Sequence, residues 1–128
     1  MQITVKGKPI AKARPRFARA GNFVKTYNDQ ETEEGRWLWE AREQLTKQAS
    51  GPIAVNMRFF MPIPKSTSKK KREMLCYHSK KPDIDNLIKF ACDCLNGMAW
   101  EDDSQISEIE ASKIYSENPR TVIEVEDL

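Results

Sequence analysis

The sequence predicts an α+β fold: one domain over residues 1–128, with a mixed β-sheet packed by two main helices in the order β-α-β-α-β-β. Three observations predict it. A chain of 128 residues suits a single hydrophobic core. Ile84, Leu87, Ile88, Ala91, Cys92 and Leu95 recur at i, i+3, i+4, i+7, i+8 and i+11, the pattern of a helix with one buried stripe. Near the C-terminus, QISEIEASKIY and TVIEVE alternate apolar with polar residues, the period of half-buried strands.

The elements follow in order. QITVKG (Gln2–Gly7) alternates Ile3 and Val5 with polar residues and reads as a strand. KPIAKARPRFARAGN, which follows, has Pro and Gly punctuation without periodicity and reads as a loop. Trp37, Leu38, Ala41 and Leu45 recur at helical spacing, so a helix is expected from Gln30 to Ala49, stopped by Ser50-Gly51-Pro52. IAVNMRFFMP (Ile53–Pro62) reads as a strand. Ser66 or Ser68 can cap a short helix running to about Cys76. The main second helix then starts after Pro82 and stops at Asn96-Gly97. Strand order does not follow from the sequence.

No stretch approaches the roughly 18 apolar residues of a membrane span, and the start lacks an apolar leader, so a cytoplasmic protein is expected. Three cysteines without a CxxC argue against a disulfide framework. The net charge of +2 conceals an asymmetry. Residues 1–82 carry 18 basic and 7 acidic side chains, whereas residues 83–128 carry 3 and 12. One surface could attract a polyanion while another holds cations; alternatively, the two parts neutralise each other across the fold.

The segment KPDIDNLIKF (Lys81–Phe90) concentrates the chemistry. Asp83 is a preferred N-cap residue and Asp85 falls in the first turn, where the helix dipole favours an acid. Both could be purely structural. Positions i and i+2 of a helix point about 200° apart, so the two could share an ion only if Asp83 lies just outside the helix. Pro82 favours an extended residue before it, consistent with such an entry. Lys89, one turn beyond Asp85, could hold a phosphate. Six extended residues after the helix can travel back about 20 Å, enough to bring Asp103, or its neighbour Asp102, level with Asp83 and Asp85. Aspartates without a matched His or Cys set suit a hard cation such as Mg²⁺ or Mn²⁺.

An EF-hand starting at Asp83 fails, because its glycine and glutamate positions hold Ile88 and Cys94. Zinc fails because Cys92 and Cys94 diverge on one helix. His78 is expected to be solvated, Trp37 to be core, and Trp39 and Trp100 stay open.

Taken together, G-x-P…K-x-R-P-R (Gly7 to Arg16), P-x-P-K-S (Pro62–Ser66), K-P-D-x-D-N-L-x-K (Lys81–Lys89), D-x-L-N-G (Asp93–Gly97) and D-D-S-Q-I (Asp102–Ile106) make the chain resemble the RusA-type Holliday-junction resolvases of bacteria and their phages. The resemblance implies catalytic acids at Asp83, Asp85 and Asp103, a functional lysine at Lys89, and Mg²⁺, replaceable by Mn²⁺, as the metal. It also implies a homodimer that cuts four-way junction DNA in recombination and repair. Nicking two symmetry-related strands suits a two-fold dimer.

Lys12, Arg14, Arg16 and Arg19 occupy an acid-free, non-helical segment, and Lys69, Lys70, Lys71 and Arg72 form a second basic group. Both are expected to contact DNA phosphates, against the plain alternative of solvated surface. A non-catalytic junction-binding or single-strand-binding protein, or a nuclease acting on flaps or forks, remains a rival reading.

Overall fold

A computed structural model describes residues 1–12, 16–20, 23–27 and 31–128. Its elements are β1 (Gln2–Lys6), β2 (Arg16–Ala20), β3 (Phe23–Tyr27), α1 (Glu31–Gln44), β4 (Ile53–Pro62), α2 (Lys69–Met74), α3 (Ile84–Leu95), a 3-10 turn (Asp103–Gln105), β5 (Ile106–Ser116) and β6 (Arg120–Asp127). The main sheet has four strands in the order β1-β6-β4-β5. β4 and β5 are parallel, which requires the long connection that α2 and α3 provide; the other pairs are antiparallel. The expected mixed sheet is present.

Period-2 patterning decides which face of the sheet is covered. Along β4, Ile53, Val55, Met57, Phe59 and Met61 are buried and alternate with half-buried residues. They join Ile3, Val5, Ile123 and Val125 from β1 and β6, and Trp37, Ala41, Leu87, Phe90, Ala91, Cys94 and Leu95 from α1 and α3. Trp37 meets Phe90 edge-on at 5.7 Å, locking the two helices together. The opposite sheet face carries polar pairs, among them Arg58 with Glu124 at 2.7 Å and Arg120 over the Phe60 ring.

Two expectations require correction. The segment read as a loop contains β2, which pairs with β3 in an antiparallel two-stranded sheet; its Arg, Ala and Pro residues gave no apolar alternation to signal a strand. The first helix ends at Gln44 rather than Ala49, because Ala49 leaves to donate its N–H to Ala99 and to bridge Trp100. Ser68, not Ser66, caps α2 by accepting from Lys71 N–H. Asn96 caps α3, and Gly97, at φ 80°, takes the left-handed conformation that lets the chain leave the helix.

Candidate active site

α3 begins as its sequence dictates, with one important difference. Asp83 occupies the N-cap position in an extended conformation, φ −68° and ψ 142°, and its carbonyl accepts from Asn86 and Leu87. Its carboxylate, however, makes no capping hydrogen bond. The purely structural reading of Asp83 therefore lacks the bond that would define it. Asp83 and Asp85 are both exposed, the first just outside the helix and the second inside its first turn.

The entry to α3 is tied to β5. His78 N–H donates to Lys113 O, Tyr115 N–H donates to Cys76 O, and Tyr77 bridges Ile114. The ammonium of Lys113 donates to Lys80 O at 2.6 Å and Pro82 O at 2.8 Å. The Lys81–Pro82 peptide is cis. His78 is half-buried against the Tyr115 ring, 4.8 Å between centroids, rather than solvated. Burial, followed by the charges of Lys113 and Lys80, holds its pKa below the usual value. Its Nδ1 is buried with no hydrogen-bond partner among the described residues.

The two neighbouring acids after α3 have different tasks. Asp102 caps the 3-10 turn: its carboxylate accepts from Ser104 N–H, and hydrogen bonding from the Ser104 side chain first, then from that N–H, lowers its pKa, while Gln105 returns a bond to Asp102 N–H. One oxygen of the Asp102 carboxylate is thus engaged in the cap. Asp103 Oδ1 accepts from the indole Nε1 of fully buried Trp100 at 2.7 Å. The chain from Gly97 does not run back as an extended segment. It folds on itself through Gly97 N–H to Trp100 O and Ala99 N–H to Leu95 O. Asp103 lies near enough to Cys92 for its charge, after burial, to help push that thiol up to about 12. Cys92 is seven residues past Asp85, about 10 Å of helical rise. Among the described residues, no three His, Cys, Asp or Glu side chains form a group able to hold a metal.

A cleft of about 640 Å³ opens at Asp83, lined by Lys8, Ala11, Lys12, Lys81, Pro82 and Asn86. The wall holding Lys12 is fixed to α3 by Lys12 N–H to Asn86 O and by the Lys12–Asp93 ion pair at 3.2 Å. An exposed carboxylate beside three lysines favours an anionic ligand that can also share a cation.

The endodeoxyribonuclease RusA family model matches residues 6–126, nearly the whole chain. The chain belongs to the RusA endodeoxyribonuclease family. It is 31% identical, over all of its length and 96% of the relative's, to the uncharacterized protein YqaN of Bacillus subtilis (strain 168). It is 32% identical over 78 residues to a protein of Lactococcus phage r1t named crossover junction endodeoxyribonuclease rusA, covering 60% of this chain and 56% of that protein.

In this RusA-family chain the expected DNA-contacting residues divide into groups. Lys69, Lys70 and Lys71 are exposed on α2. Arg72 is not free, because it donates to Thr67 O and Pro64 O and pairs with Glu117. These bonds tie it to the turn before α2. Arg16 and Arg19 lie in β2, where the described structure is backbone only, and Arg14 lies outside the described residues. Lys8 and Lys81, which line the cleft at Asp83, and Lys113, which bonds the turn before it, were not singled out from the sequence. Lys81 opens the K-P-D-x-D-N run two residues before Asp83, a signal that could have found it, whereas Lys113 looks like any outward residue of an alternating strand.

Proposed function

We propose that this RusA-family protein is a metal-dependent endonuclease that resolves four-way DNA junctions by paired, symmetrical phosphodiester hydrolysis, acting as a homodimer in recombination and repair. The observation that carries this reading is the exposed, uncapped carboxylate of Asp83, two residues from Asp85 and facing a lysine-lined cleft. The name of the phage relative supports the choice of junction DNA.

All-oxygen donors fit Mg²⁺ or Mn²⁺, which commonly take one or two carboxylates and leave other positions for substrate oxygens. Asp83 and Asp85 would hold the ion; Asp103, which forms no metal-holding group with them in this structure, would join as a third acid when ion and DNA are bound. When bound, such an ion polarises the phosphodiester and makes water a stronger nucleophile at neutral pH. The chain supplies the rest. Lys89, exposed one turn from Asp85, balances charge on the phosphate. Lys8, Lys12 and Lys81 draw the DNA backbone toward Asp83, and Lys69 to Lys71 extend the attraction over α2.

The test is cleavage of a synthetic four-way junction and a matched duplex with Mg²⁺, Mn²⁺ or EDTA. The wild type should nick the junction symmetrically, leaving 5′-phosphate and 3′-hydroxyl ends. Asp85→Asn should lose more than about 100-fold in rate, since even residues behind metal ligands cost 10–100-fold, and should still bind the junction. Wild-type cutting by Asp85→Asn sinks the reading. Binding without cutting under every metal would instead favour a junction-binding module.

A further inference from the structure

We propose that Lys113 is a positioning residue of the nuclease site, locking the turn that presents Asp83; the proposal rests on the reading of Asp83 and Asp85 as catalytic acids. Residue 113 holds both ends of the short turn before α3. Its backbone carbonyl accepts from His78 N–H at 3.0 Å, and its ammonium donates to Lys80 O and Pro82 O. Charge-assisted bonds of 2.6 and 2.8 Å are at the strong end of protein hydrogen bonds. The second ends on the residue immediately before Asp83.

This arrangement supplies what the Asp83 carboxylate itself lacks. A side chain that bonds its own helix end is fixed by that bond, but the Asp83 carboxylate makes no capping bond. Its location depends on its backbone, and its backbone is an exposed turn. β5 is a rigid element paired along its length with β4, so an ammonium anchored there transfers the register of the sheet to the turn. A displacement of about 1 Å in a catalytic group can cost 10²-fold in rate. Lys113 is thus placed to act through Asp83 without touching DNA.

The experiment compares wild type, Lys113→Met, Lys113→Arg and Asp83→Asn. Lys113→Met keeps the length of the stem but cannot donate. Its cleavage rate should fall about 10–100-fold and the metal concentration for half-maximal cutting should rise. Junction affinity in EDTA should match wild type, and the pH profile should keep its shape, because the lysine moves no proton in the reaction. Lys113→Arg, with several donors, should recover most of the rate. In metal-free protein, hydrogen exchange of the segment 76–84 should be faster in Lys113→Met, which reports the turn independently of activity. Should Lys113→Met fail to fold, Lys113→Leu, which likewise cannot donate, carries the same comparison.

Wild-type cutting and metal requirement in Lys113→Met overturn the proposal, and so does a loss of junction affinity equal to the loss of rate, which would make Lys113 a phosphate-binding residue. If Asp83→Asn and Asp85→Asn also cut normally, the failure lies in the site itself. If those two are inactive while Lys113→Met is normal, only the role of Lys113 fails.

Discussion

Trp100 holds Asp103 by a 2.7 Å bond from its indole nitrogen to Oδ1, so a ring buried in the core fixes a half-exposed acid beside α3. The same ring closes the turn after α3, since Trp100 O accepts from Gly97 N–H. Core packing and the position of a candidate catalytic acid are therefore set by one residue.

Two substitutions separate those contributions. Asp103→Asn keeps an oxygen for the indole to bond, so stability to urea should stay close to wild type while single-turnover junction cleavage falls steeply. Trp100→Phe removes the donor and leaves a void. It should lose about 1–3 kcal/mol of stability, yet keep more cleavage per folded molecule than Asp103→Asn. Equal cleavage by Asp103→Asn and wild type would remove Asp103 from the mechanism.

Gln44 completes an exposed sheet edge. Its Oε1 accepts from Thr4 N–H at 2.8 Å and its Nε2 donates to Thr4 O at 2.7 Å, so a side-chain amide replaces a missing strand. Glu40 does the same for Lys6 N–H. Gln44→Leu should destabilise the fold by about 1–3 kcal/mol, because both backbone groups would be left without a partner. Urea denaturation measures this, and the cutting rate of the folded protein should not change.

What the sequence revealed depended on distance along the chain. α3 and β4 were legible because their periods repeat within a dozen residues, and the N-cap position of Asp83 follows from Pro82 and the apolar stripe beyond it. Strand order was not legible, because it rests on pairings such as Ile3 with Ile123. The role of Lys113 was hidden for the same reason: its partners are backbone carbonyls 31 and 33 residues away, and a carbonyl leaves no signature in side-chain identity. Asp102 and Asp103 were indistinguishable in the sequence, because their different partners, Ser104 N–H and the Trp100 indole, follow from the turn that the chain makes there.

The thiols offer a check on burial around α3. Burial first, then nearby carboxylates, pushes Cys92 and Cys94 up to about 12, whereas Cys76 is exposed. Because the thiolate is the reactive form, an aromatic disulfide reagent at pH 8 should label Cys76 rapidly and the other two only on unfolding. Rapid labelling of all three in native protein would contradict the packing of α3.

The basic group at Lys69–Arg72 should split by function when binding is followed against salt. Lys69, Lys70 and Lys71 are exposed along α2, so replacing any one that neutralises a phosphate with Ala should reduce the log–log salt slope by about 0.9. Arg72 has the same charge but is engaged with Pro64 O, Thr67 O and Glu117, which lies in the turn between β5 and β6. Arg72→Ala should therefore leave the slope nearly unchanged and lower stability by about 1 kcal/mol instead, the usual net worth of such bonds. Fluorescence anisotropy of a labelled junction between 50 and 200 mM salt, paired with urea denaturation, distinguishes the two. A slope reduced by Arg72→Ala as much as by a single lysine change would place Arg72 on the DNA surface, and an unchanged slope in the triple lysine variant would leave α2 as solvated surface.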